Sequence, residues 1–83
     1  MGVIFRIMIT GDQIRDGRSL LRWSARELGE KADVGMATVQ RLEAGKTKVG
    51  AAKFETLQKI KSALESGGIE FLDDGSVKRR KPE

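Results

Sequence analysis

The run Ser24-Ala25-Arg26-Glu27-Leu28-Gly29-Glu30-Lys31-Ala32-Asp33-Val34-Gly35-Met36-Ala37-Thr38-Val39-Gln40-Arg41-Leu42-Glu43-Ala44-Gly45 reads as two short helices joined by a tight turn. Ser24 stands three residues before Glu27, the spacing of a capping box. In that pattern the hydroxyl accepts from the third helical amide while the carboxylate reaches back to the cap amide. A helix over 25–32 follows, with Leu28 and Ala32 on its inner face. Asp33-Val34-Gly35 is the turn, and Asp tolerates left-handed backbone better than most residues. A second helix over 36–44 turns Val39 and Leu42 inward and stops at Gly45, the residue type that favours a left-handed C′ position. Gly29 lies mid-helix, where Ala would be preferred by about 1 kcal/mol. Its missing side chain lets the second helix approach closely, with Val34 and Val39 as the apolar lock.

Upstream, Thr10 and Gln13 repeat the capping pattern and open a helix over about 12–22, in which Ile14, Arg18 and Leu21 recur at helical spacing. Gly17 weakens that helix by about 1 kcal/mol unless it serves close packing. Downstream, Leu57, Ile60 and Leu64 mark the apolar stripe of a helix over 52–66, with Phe54 and Ala63 near the same face. Lys59 and Lys61 lie off that stripe and are expected in solvent. Gly67-Gly68 ends the helix. Ile69 to Leu72 reads as a strand and Asp74-Gly75 as a two-residue hairpin turn. That register sets Leu72 opposite Val77 and Glu70 opposite Arg79 on a return strand over 77–79.

At the N-terminus, Val3, Phe5, Ile7 and Ile9 alternate with Ile4, Arg6 and Met8, which suggests a further strand. It would join the hairpin or pair with another subunit, since an uncovered edge invites aggregation. Met8 is an alternative start, with residues 1–7 then an extension. The expected fold is mainly α: a four-helix helix-turn-helix domain with a small C-terminal β-hairpin and a possible N-terminal strand. One domain spans 1–83, with a helical core over 10–66, the hairpin over 67–80 and a tail over 81–83.

Eighty-three residues leave room for one small core. The chain has no Cys, His or Tyr. Disulfides, thiolate and imidazole metal ligands, and the usual general bases are thereby removed. A non-enzyme without cofactor or metal is expected. Sixteen Lys and Arg against twelve Asp and Glu give a net charge of +4. That excess fits a nucleic-acid partner, or a soluble domain with a basic tail. The apolar residues 1–9 are too short for a signal peptide and are interrupted by Arg6. No run approaches the roughly 20 apolar residues of a membrane span. A cytoplasmic protein without a membrane partner is expected.

Together, Ser24-Ala25-Arg26-Glu27-Leu28, Val34-Gly35-Met36-Ala37-Thr38-Val39 and Glu43-Ala44-Gly45-Lys46 resemble the phage-repressor/Cro-type (XRE-like) helix-turn-helix proteins. Members of that family tend to carry Ser-Gln-x-Glu-Leu-Ala, Val-Ser-x-x-Thr-Ile and Glu-x-Gly-Lys/Arg in this order. The resemblance covers about residues 14–64, and Gly68-Ile69-Glu70-Phe71 with the basic residues after it is similar to the short bacterial form. It implies a sequence-specific DNA-binding transcriptional regulator, a homodimer on an inverted repeat in double-stranded DNA. The helix over 36–44 would lie in the major groove with Met36, Ala37, Gln40 and Arg41 facing bases. Arg41 would bond guanine, Gln40 an adenine edge or a phosphate, and Met36 and Ala37 a thymine methyl. Ser24, Thr38, Lys46 and Lys48 would meet phosphates. Arg18 and Glu43 would form a buried ion pair that orients the recognition helix.

Three departures weaken the match: Ala25 replaces the family's Gln, Gly35 its Ser or Thr cap, and Asp33 its turn glycine. A second reading is a protein-interaction module or antitoxin that keeps the fold and binds a partner such as a toxin. Met36, Ala37 and Ala25 favour it, while Arg41, Lys46, Lys48 and the net charge favour DNA. Trp23, at the junction of the first two helices, reads as a core residue more than as a base-stacking one. Lys78 to Lys81 reads equally as a minor-groove arm or a solvated tail.

Overall fold

The computed structural model describes residues 9–45 and 54–80. They form α1 (Gly11–Leu20), α2 (Ala25–Ala32), α3 (Met36–Glu43), α4 (Phe54–Ser66), β1 (Ile69–Phe71) and β2 (Val77–Arg79). The architecture is mainly α with a two-stranded antiparallel hairpin at its C-terminal end. The expected N-terminal strand, the loop over 46–50, the helix start at 52 and Lys81 lie outside the described residues. Ile9, at the end of the expected strand, is buried in the core.

Local chemistry sets the helix ends. Thr10 Oγ1 accepts from the Gln13 amide at 3.1 Å, and Gln13 Oε1 accepts from the Thr10 amide at 2.8 Å. The Ser24–Glu27 pair repeats this at 3.0 and 2.9 Å. α1 closes with a Schellman pair: the Trp23 amide donates to Arg18 O and the Arg22 amide to Ser19 O, both at 3.0 Å. Arg22 therefore sits at the left-handed C′ position, with φ 58°, and α1 ends earlier than its apolar spacing suggests. Asp33 ends α2 at φ 59° and ψ 45°. Gly35 caps α3 without a side-chain hydrogen bond.

Every element sends apolar side chains to one core. Ile14 of α1, Leu28 of α2, Val39 and Leu42 of α3, Leu57, Ile60 and Leu64 of α4, and Ile69 of β1 are buried. Each such side chain is worth about 1.5–3 kcal/mol, the dominant stabilisation for so short a chain. Phe54 departs from expectation and is 56% exposed. It opens α4 at the edge of the stripe, and no described element covers it. Two glycines permit backbone approach. A Cβ on Gly29 would lie 2.8 Å from Val34 O and 3.3 Å from the Met36 amide. A Cβ on Gly11 would overlap the Leu42 carbonyl, so the start of α1 abuts the end of α3.

The hairpin register differs from expectation by one residue. Ile69 faces Arg79, Glu70 faces Lys78 and Phe71 faces Val77. Leu72 instead pairs with Ser76, its amide donating to Ser76 O at 2.9 Å, and the Gly75 amide returns to Leu72 O at 3.1 Å. The loop is therefore Asp73-Asp74-Gly75, with Gly75 left-handed at φ 91°, the three-residue turn-plus-bulge connection. Asp74 Oδ1 secures it by accepting from the Ser76 amide at 2.9 Å and the Ser76 hydroxyl at 2.6 Å.

Of the two lysines of α4, Lys59 is exposed as expected, while Lys61 is not. Lys61 is half-buried, 2.7 Å from Glu65 and 5.4 Å from the centre of the Phe71 ring. Lys59 stands 3.8 Å from Asp33. The contacts of Lys61 come from a helical turn and a tertiary neighbour that the apolar stripe does not reveal. Among the described residues no helix is long and apolar enough to cross a membrane.

Candidate functional site

α3 has two chemically distinct faces. Val39 and Leu42 point into the core, while Met36, Ala37, Gln40 and Arg41 are exposed. Spacings of one, four and five residues place those four on one side of a helix. Thr38, between the faces, is half-buried, and its amide donates to Gly35 O at 3.0 Å. The exposed face thus carries a guanidinium, an amide that both donates and accepts, a flexible thioether and a methyl. None of these is a nucleophile or a general base at neutral pH. The face is suited to recognition by hydrogen bonding and apolar contact.

The orientation of α3 is set from behind. Arg18 Nε lies 2.7 Å from Glu43 Oε2 and Arg18 Nη2 lies 2.8 Å from Glu43 Oε1, a bidentate pair. Arg18 Nη1 donates to the Trp23 carbonyl at 2.9 Å. One guanidinium therefore joins α1, the α1–α2 link and the end of α3. The side chains are only 20% and 10% exposed. The hydrogen bond to Glu43 pushes the Arg18 pKa above its ordinary value, against the opposing effect of burial.

Ser24 is exposed at the head of α2. Its oxygen accepts the Glu27 amide, and its hydroxyl proton is left to donate outward. The start of α2 also presents the positive end of its peptide dipoles. Arg26 is exposed and stands 3.6 Å from Glu30. Lys46 and Lys48 lie outside the described residues. Of the expected site residues, the structure brings Met36, Ala37, Gln40 and Arg41 onto one exposed face, with Thr38 at its side and Arg18–Glu43 behind.

Trp23 packs against the core, with the Lys31 ammonium 5.0 Å from the ring centre. In the basic C-terminal run, Lys78 is 3.6 Å from Glu70 and Arg80 Nη2 donates to Glu65 O at 2.8 Å. Those two cations are engaged within the molecule, and Arg79 is exposed. Arg22 was not marked by any sequence signal, because left-handed positions are usually announced by Gly, Asn or Asp.

No family model matches the chain and no curated protein matches it.

Proposed function

We propose that this protein is a cytoplasmic, sequence-specific DNA-binding regulator that lays α3 in the major groove as one half of a homodimer on an inverted repeat. One observation carries the proposal. α3 exposes Met36, Ala37, Gln40 and Arg41 as a continuous face, while its other face is buried and its end is held by Arg18 and Glu43. A rigidly held helix with such a face matches the donors, acceptors and thymine methyls of major-groove base edges. Arg41 reads guanine, Gln40 reads adenine or holds a phosphate, and Met36 and Ala37 contact a thymine methyl. Ser24, Thr38, Lys46, Lys48 and the start of α2 meet phosphates, and the net charge of +4 supports this. An interaction module or antitoxin is the second reading, favoured by the 45% exposure of Met36 on that face.

Binding of a labelled random-sequence duplex across a salt series separates the two. For DNA binding, log Kobs falls linearly with log salt, by about 0.9 for each phosphate contact. Failure to retain duplex at low salt would overturn DNA binding and direct attention to a protein partner.

A further inference from the structure

We propose that Arg22 is a phosphate-contacting residue of the DNA face. This rests on the DNA-binding reading above and extends it to a residue outside α3.

The first observation is the backbone. Arg22 and Asp33 are the only non-glycine residues with positive φ among the described residues. Asp33 has a short polar side chain of the kind that tolerates this region. The other left-handed positions, Gly45, Gly68 and Gly75, are glycines. Arg22 has neither advantage, yet it occupies a Schellman C′ position that glycine fills without strain. Stability alone would place glycine there.

The second observation is the side chain. Arg15 pairs with Asp12 at 3.3 Å, Arg18 with Glu43 at 2.7 Å and Arg26 with Glu30 at 3.6 Å. Arg80 donates to the Glu65 carbonyl at 2.8 Å. Arg22 is exposed and joins none of the ion pairs or side-chain hydrogen bonds formed among the described residues. The same is true of Arg41, the proposed base-reading residue, and of Arg79 at the end of β2.

The third observation is position. The next residue, Trp23, gives its carbonyl to the guanidinium that also holds Glu43 of α3. The backbone bearing Arg22 and the end of α3 thus share one hydrogen-bonded frame. Arg22 also lies two residues ahead of Ser24, where α2 begins. With Ser24 meeting a phosphate at the head of α2, as proposed above, a guanidinium two residues ahead of it is placed to meet the same backbone. A guanidinium suits a phosphate there, because its fork of N–H donors matches two phosphate oxygens.

The test is Arg22→Gly, with Arg22→Lys and Arg22→Gln beside it. Urea unfolding and duplex titrations from 50 mM to 1 M salt are measured on the full chain. Arg22→Gly should unfold at higher urea than wild type and yet bind duplex more weakly. Losing one phosphate contact should flatten the salt slope by about 0.9, which is about eightfold weaker binding at 0.1 M salt if the lines meet at 1 M. Arg22→Lys should keep most of the slope. Arg22→Gln should lose it without the gain in stability. If wild type binds duplex and Arg22→Gly matches it in affinity and slope, Arg22 is not a contact and DNA binding stands. If wild type retains no duplex at 50 mM salt, DNA binding fails and this role fails with it.

Discussion

Gly17 and Gly29 are both buried inside helices, and the same substitution should act on them with opposite sign. In α1, the nearest atoms to a Cβ on Gly17 would be side-chain carbons of Ile69 and Leu64, at 3.4–3.6 Å. That is ordinary contact. Alanine there gains about 1 kcal/mol of helix propensity and meets little resistance. In α2, a Cβ on Gly29 would meet backbone instead, the Val34 carbonyl oxygen at 2.8 Å and the Met36 amide at 3.3 Å. The turn must shift, and overpacking of this kind costs about 1–3 kcal/mol. Set against the propensity gain, Gly29→Ala should destabilise by about 1 kcal/mol and Gly17→Ala should stabilise by about 1 kcal/mol. Urea unfolding followed by far-ultraviolet circular dichroism checks this. With an m-value of about 1 kcal/mol/M, the two midpoints should fall on either side of wild type, about 2 M apart. A Gly29→Ala midpoint at or above wild type would refute the close-approach argument. Because the displaced atoms begin α3, Gly29→Ala should also weaken duplex binding, and Gly17→Ala should not.

Three further outcomes follow from the same geometry. Arg18→Ala leaves a nearly buried Glu43 without its partner and should lower stability by about 3 kcal/mol, and a cycle with Glu43→Ala should recover part of that loss. Arg41→Ala should leave the urea midpoint unchanged, because the side chain is exposed, yet weaken binding to a preferred duplex by about 1–3 kcal/mol and relax one base position. The hydrogen bonds from Ser76 hold the Asp74 carboxyl below its ordinary pKa. A carboxyl with a depressed folded-state pKa adds stability above the ordinary aspartate range and loses it as pH falls through the folded value. Ser76→Ala should therefore move the Asp74 carboxyl resonance toward an ordinary titration, and its stability deficit should shrink on acidification.

The parts of the fold that local spacing encodes were legible. Both capping boxes depend on residues three apart, and both helices begin where Thr10 and Ser24 place them. α2 covers the expected residues because Ser24 starts it and Asp33 stops it. The exposed face of α3 was readable because Val39 and Leu42 fix which side is buried. The hairpin itself was legible, but its register was not, because Asp74-Gly75 suits a two-residue turn while Asp73-Asp74-Gly75 suits a three-residue loop. The choice rests on Asp74 bonding to Ser76, which composition does not rank. The tether of Lys61 to Phe71 depends on tertiary packing. Arg22 was hidden because a left-handed arginine has no local signature. The pairing of Arg18 with Glu43 spans 25 residues, and only the family resemblance suggested it.

Selection of duplexes from a random pool by purified protein, followed by sequencing, tests the central claim most directly. DNA recognition through α3 predicts enrichment of a two-fold symmetric motif whose half-site preference at one base pair disappears with Arg41→Ala. Failure to retain any duplex at low salt would contradict it.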